Sequence, residues 1–238
     1  MVENLAAAND RQARLKNGWV WLGWLLVIAL VVTPRVFDLN IFYARDELAI
    51  WPWADQFALA VWAGDPAATL TASDYPGIPM FWAQTLFLTF KYTFPSLFPH
   101  TMLPFEALAQ DRSIELLAER RLAAGLLVSL QLIAALWLVR RLFGWPVALL
   151  SAILLGLDPF SLSEARLLRL EMTSALFACL SLLVYLLYWR ERRSWLLFVS
   201  GIMAGLGVSS KTSAGLIVPF IWLLLGLDFL WGTPQTWW

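Results

Sequence analysis

Long apolar runs, separated by short charged turns, set the architecture of this chain. They occupy Trp19–Val32, Leu122–Val139, Trp145–Leu157 with its flanks, Met172–Trp189, Trp195–Val208 and Ala214–Leu227. A comfortable membrane span takes roughly 20 apolar residues. Several of the runs are shorter, but their number and spacing predict an all-α, polytopic transmembrane helix bundle of about six spans. A further run, Ile78–Phe94, is apolar enough to insert, yet it carries Gln84 and Lys91 and is bracketed by Pro79 and Pro95.

Basic residues in the short loops decide how that run is read. Arg11, Arg14 and Lys16 precede the first span, Arg140 and Arg141 follow the second, and Arg190, Arg192 and Arg193 follow the fourth. If Ile78–Phe94 does not cross, all three clusters fall on the cytoplasmic side, as the positive-inside tendency requires. Residues 35–120 then form a long first external loop with two interfacial helices, near Trp53–Ala63 and Pro79–Phe94. Pro52 and Pro79 suit a first helical turn, where a missing N–H is tolerated. Trp53, Phe57 and Val61 fall at i, i+4, i+8, an apolar stripe that can lie on the bilayer or pack on the bundle. The chain divides into a cytoplasmic tail (residues 1–17), a membrane-embedded module (residues 18–228) and a C-terminal tail (residues 229–238) that reads as the end of a truncated chain.

Composition supports this reading. The chain is 60% hydrophobic and 14% charged, against about 45–50% and about 25% in soluble domains. Its 15 tryptophans suit anchoring at lipid–water interfaces. The formal net charge is zero, so no bulk field points to nucleic acid. The single cysteine, Cys179, excludes an intrachain disulfide and a cysteine-based metal cluster. No small-residue cleavage site follows the first span, which is read as a retained helix and not a signal peptide.

Carboxylates beside a bilayer are costly to desolvate, so those placed there are candidates for chemistry. Asp46 and Glu47 open the first interfacial stretch, at headgroup depth. Ser161-Leu162-Ser163-Glu164 reads as a capping box that opens the fourth span. On a continuous helix Glu164, Leu168 and Glu171 share one face, with Arg166 and Arg169 roughly opposite. Glu171 then needs a partner from elsewhere: a cation, a metal, Lys211 or substrate. Lys211 interrupts a Gly/Ser-rich external turn, against the positive-inside tendency, and an ammonium is a good point-charge contact for phosphate. The spacing of a Walker loop is absent. His100 reads as structural, Asp55 and Asp74 as solvated, and Asp65 before Pro66 as a turn. Glu115, Glu119, Arg120 and Arg121 read as a mutually compensated collar outside the second span, and Asp228 as remote from the site on the cytoplasmic side.

The order of these features forms a pattern. A basic start and first span lead to DE, then AGDPAATLTASDYPGIPMFW, AERRLAAGLLVSLQLIAALWLVRRLFG, SEARLLRLEMTSALFACLSLLVYLLYWRERR and GIMAGLGVSSKTSAGLIVP. From about Val20 to Leu227 this resembles the membrane-embedded C-type (GT-C) glycosyltransferases, specifically the bacterial relatives of protein O-mannosyltransferases and lipid A aminoarabinose transferases. The resemblance implies an enzyme of a bacterial plasma (inner) membrane. It would move a hexose or pentose, with inversion, from a polyprenyl-phosphate donor to a glycan, lipid or protein acceptor at the external, periplasmic face. By the same resemblance Asp46 is the catalytic base with Glu47 beside it. Glu171, Arg166, Arg169 and Lys211 are substrate contacts, with Lys211 on the donor phosphate. Tyr75 is a further candidate contact, although many relatives show His-Pro-Gly or Pro-Pro where this chain has Tyr75-Pro76-Gly77. No cofactor is required by this reading; if a divalent cation takes part, Asp46 and Glu171 are its candidate ligands.

The residue types fit such chemistry. A positioned carboxylate can take the proton of an attacking hydroxyl, and a cation can meet the charge that develops on a leaving lipid phosphate. The alternatives are a flippase or transporter of lipid-linked sugar, and a noncatalytic truncated homologue. Transporters place such charges near the midplane and show internal repeats, whereas here the carboxylates gather at one face and no clear repeat is present.

Overall fold

The computed structural model describes residues 20–40, 44–70, 76–97, 104–111 and 113–231. These are almost wholly helical and contain no strand. Helix α1 (Val20–Val36) leads to three helices outside the long apolar runs: α2 (Glu47–Ala63), α3 (Ile78–Thr93) and the short α4 (Phe105–Gln110). Then follow α5 (Ile114–Phe143), α6 (Trp145–Leu157), α7 (Pro159–Ala165), α8 (Glu171–Glu191), α9 (Ser194–Ser210) and α10 (Ile217–Trp231).

Among the described residues, three helices are long and apolar enough to cross a membrane: Glu115–Phe143, Glu171–Glu191 and Thr212–Leu230. The pair α6–α7, bent by 65°, passes the same test as one broken span, and α1 and α9 are shorter apolar helices. These six units coincide with the six runs expected from the sequence, and α3 is not among them.

The long central helix α5 starts where Ser113 accepts the N–H of Leu116, has Glu115 in its first turn and carries Arg140 and Arg141 in its last. Both ends thereby complement the helix dipole. Around α5 lie three apolar clusters. Trp51, Met80, Leu88, Phe105 and Leu117 join α2–α4 to its first half. Val27, Val31, Leu132 and Ala152 join α1 and α6 to its middle. Leu138, Leu180, Leu187 and Leu196 join α8 and α9 to its last turns. Helix α8 packs along α9 over most of its length.

The break between α6 and α7 has a chemical cause. Pro159 cannot continue the backbone ladder, and Asp158 caps the new helix by accepting the N–H of Ser161 at 2.6 Å. The carbonyls left open at the end of α6 are met by Arg35 at the end of α1. It donates to Gly156 and Leu155 at 3.2 and 2.9 Å, and to Val31 and Ser161 Oγ as well. Arg35 is wholly buried, so this guanidinium stands in for water inside the protein, where open backbone groups are expensive. Gly125 of α5 permits the approach: a Cβ there would lie 2.6 Å from the Arg35 carbonyl oxygen. Gly125→Ala must therefore move backbone, and a loss of about 1–3 kcal/mol is expected. Denaturant unfolding in detergent checks this, and an unchanged midpoint would refute the close approach.

Several local expectations change. Helix α2 begins at Glu47, so Pro52 sits in its interior and not in its first turn. The buried face of α2 is Glu47, Trp51, Ala54, Asp55 and Ala58, beside the expected Trp53–Phe57–Val61 stripe, of which Phe57 is buried against Phe81 and Trp82. The expected capping box is not formed: Asp158 caps α7, and residues 166–170 separate α7 from α8. Glu164 and Glu171 therefore do not share one continuous helix.

Candidate active site

Glu47, in the first turn of α2, is the anchor of the site. Its carboxylate is wholly buried and accepts four hydrogen bonds. Arg121 Nε reaches Oε1 at 2.8 Å and Arg121 Nη2 reaches Oε2 at 2.5 Å, a bidentate pair. The backbone N–H of Ala44 donates to Oε2 at 2.9 Å and that of Leu168 donates to Oε1 at 3.1 Å. Arg121, also fully buried, donates onward to the Leu39 carbonyl at 2.9 Å. One ion pair thus ties the start of α2, the first third of α5, and the segment between α7 and α8.

The residues that flank this contact form a second one. Leu168 meets Glu47, and Arg169 meets Asp46, its Nη2 lying 2.9 Å from Oδ2. The Asp46 side chain is 58% exposed, so of the two adjacent carboxylates one is sealed in the core and the other faces outward. Arg169 also pairs with Glu164 of α7. Burial works against its charge, but Glu164, Asp46 and Glu171 outweigh it and hold the guanidinium above its ordinary pKa. Glu171, in the first turn of α8, pairs with Lys211 at 2.5 Å. Lys211 follows α9 in an extended conformation, where the close packing of α8 and α9 brings it over the α8 terminus; Ser174 Oγ donates to the Gly207 carbonyl at 3.3 Å there.

Asp46 and Glu171 line one pocket of about 190 Å³, walled by Ala49, Ile50, Trp53 and Leu170. Two carboxylates, an apolar wall, and two cations each already held by a carboxylate form a compact, internally compensated constellation. Arg166 is directed elsewhere, donating to the carbonyls of Phe37 and Asp38 at the end of α1. Tyr75, Asp74 and His100 lie outside the described residues. Asp65 accepts the N–H groups of Ala67 and Ala68, as its turn role requires.

The expected charged collar is a set of cross-links instead. Arg120 pairs with Asp55 at 2.5 Å and lies over the Trp51 ring, Arg121 pairs with Glu47, and Glu119 pairs with Lys91. Asp55, expected to be solvated, is buried by that pairing. Sequence reasoning did not find Arg121 as the partner of Glu47, nor Trp53, Ile50 and Leu170 as pocket walls. The available signal was the spacing of Glu47, Trp51 and Asp55 on one face of a helix, opposite two consecutive arginines. Among the described residues no three His, Cys, Asp or Glu side chains converge, and the two pocket carboxylates each face a cation. This donor set does not fit a dedicated metal site.

A family model described as Dolichyl-phosphate-mannose-protein mannosyltransferase matches residues 116–237, just over half of the chain. The chain belongs to this family. It is accordingly a membrane-embedded glycosyltransferase of the GT-C type. Within the segment that matches the mannosyltransferase family lie Arg121, Glu164, Arg166, Arg169, Glu171 and Lys211, while Asp46 and Glu47 precede it. No curated protein and no solved structure matches the chain significantly.

Proposed function

We propose that this transferase takes a hexose or pentose from a polyprenyl-phosphate donor and passes it to an acceptor hydroxyl at the external face of a bacterial plasma membrane. The observation that carries the reading is the shared pocket of Asp46 and Glu171, with Arg169 and Lys211 within ion-pair distance of them. Asp46, the exposed carboxylate, takes the proton as the acceptor oxygen attacks the anomeric carbon. The bond from that carbon to the phosphate oxygen breaks, and the phosphate leaves with the electron pair. Its charge is met by Lys211 and Arg169, which exchange Glu171 and Asp46 for the donor. A single carboxylate of this kind, acting in one displacement, gives inversion. Glu47 does not touch substrate in this scheme: its four bonds are spent on Arg121 and backbone, and it positions Asp46. Trp53, Ile50 and Leu170 supply an apolar wall next to the lipid portion of the donor.

The test is transfer of labelled sugar from short-chain polyprenyl-phosphate donors by the full chain in membranes. Lys211→Gln removes the ammonium and keeps the length; a charge-assisted hydrogen bond of about 1.5–3 kcal/mol corresponds to a fall in kcat/KM of about 10–100-fold. Donor binding without any transfer by the wild type would overturn the reading in favour of a noncatalytic homologue. Movement of the donor across vesicles without transfer would overturn it in favour of a transporter.

A further inference from the structure

The opposite end of the bundle carries five arginines, and their surroundings differ. Arg141 pairs with Glu191 at 2.7 Å, Arg192 pairs with Asp228 and Arg193 faces Glu191 at 3.6 Å. Arg190 donates to the carbonyls of Arg141 and Leu142, both at 3.1 Å. Arg140 is different: among the described residues neither a carboxylate nor a carbonyl meets its guanidinium. It is held by aromatic faces instead, 4.5 Å from the centroid of the Trp145 ring and 5.7 Å from that of Trp24. Those two rings pack on one another at 5.4 Å, and the pair is braced on α1 at Gly23, where a Cβ would lie 3.0 Å from the Trp145 ring. Cation–π contact fixes where the guanidinium sits, and its N–H donors meet no acceptor among the described residues.

A pocket of about 260 Å³ opens beside it, lined by Arg140, Val20, Trp21 and Trp24. Trp21 is 70% exposed and Leu25, one turn further along α1, is 63% exposed, so an apolar strip runs away from the cation along the outer face of α1. A planar guanidinium with its fork of N–H donors suits a phosphate diester, which it can grip with two parallel bonds. Tryptophans at this depth and basic pockets between spanning helices suit a lipid headgroup. The strip along α1 suits an acyl chain.

We propose that the pocket between the first turns of α1 and the α5–α6 corner is a binding site for an anionic phospholipid. Arg140 holds the phosphate in the Trp24–Trp145 frame, and Trp21 and Leu25 hold one acyl chain. This site is independent of the sugar-transfer reading, because none of its residues touches the Asp46 pocket. A lipid seated there would close the seam between α1 and the α5–α6 corner.

Native mass spectrometry of the full chain in detergent, titrated with phosphatidylglycerol or phosphatidylcholine, tests the proposal. The wild type is expected to retain one phosphatidylglycerol in preference to phosphatidylcholine. Arg140→Gln should weaken that lipid about tenfold, the loss of a bidentate charged contact. Arg193→Gln, an equal change of charge at the same end, should leave it in place. Trp21→Ala alters an exposed residue and cannot disturb the core, so it tests the site if Arg140→Gln fails to fold, and it too should weaken retention. Equal retention of the two lipids overturns the proposal, as does an equal fall in the Arg140 and Arg193 variants or unchanged binding in both Arg140→Gln and Trp21→Ala. Displacement of the lipid by millimolar inorganic phosphate would assign the pocket to a free anion and overturn the lipid assignment.

Discussion

Arg121→Ala is expected to destabilise the protein by about 3–5 kcal/mol, the usual cost of stranding one member of a buried ion pair. Glu47 and Arg121 both have side chains with 0% exposure, so the carboxylate stranded by the change is out of contact with bulk solvent. The Glu47 carboxylate would keep only the N–H groups of Ala44 and Leu168, and the Leu39 carbonyl would lose its donor. Thermal and denaturant unfolding in detergent, followed by helicity, reads this directly. A shift below about 1 kcal/mol, as for an exposed pair, would show that the pair is not sealed. Replacing both members by apolar residues separates stability from function. Glu47→Leu with Arg121→Met should recover most of the stability, while transfer stays low because Leu168 loses the acceptor that holds Arg169 opposite Asp46. Recovery of both would demote Glu47 from positioning residue to filler.

Asp46→Asn is expected to lower kcat for sugar transfer at least about 100-fold with little change in donor KM, because asparagine keeps the size and loses the base. The fold should tolerate the change. The Asp46–Arg169 pair is exposed on the Asp46 side, and such pairs contribute about 0–1 kcal/mol; Arg169 keeps Glu164 in any case. Single-turnover transfer from a labelled polyprenyl-phosphate donor distinguishes loss of chemistry from loss of binding. Activity equal to wild type would remove Asp46 as the base. It would leave Glu171 as the other pocket carboxylate, since every strong acceptor direction of Glu47 is already filled.

The spanning helices were legible because their signal is local. Runs of leucine, alanine and valine with charged turns specify an apolar helix wherever they occur, and every expected run corresponds to a helical unit. The need of Glu171 for a partner was legible for the same reason, a carboxylate opening an apolar helix, and Lys211 is that partner in the structure. The frame that holds Asp46 was not legible. Its bonds join residues 74 and 121 positions apart, and no periodicity encodes which distant cation a carboxylate will meet. Asp55 and Glu47 look like the polar edge of an interfacial helix until α5, starting ahead of the apolar run at Ile114, brings Arg120 and Arg121 against them. The break at residues 166–170 was hidden by its composition: leucines and arginines favour a helix, and the contacts of Arg166, Leu168 and Arg169 with residues 37–47 show what the segment does when it is not one.

The long separations in that frame also fix an order of events during synthesis. Glu47 can close on Arg121 once α5 has been made, so α2 can dock and its buried charges can be neutralised early. The wall carrying Arg169 and Glu171 comes later, and Lys211 later still, after α9. Contacts so distant along the chain are slow to form. A nascent chain that stops between these points can hold the Glu47–Arg121 pair, but it lacks Leu170 and Glu171, which complete the Asp46 pocket, and Lys211, which neutralises Glu171.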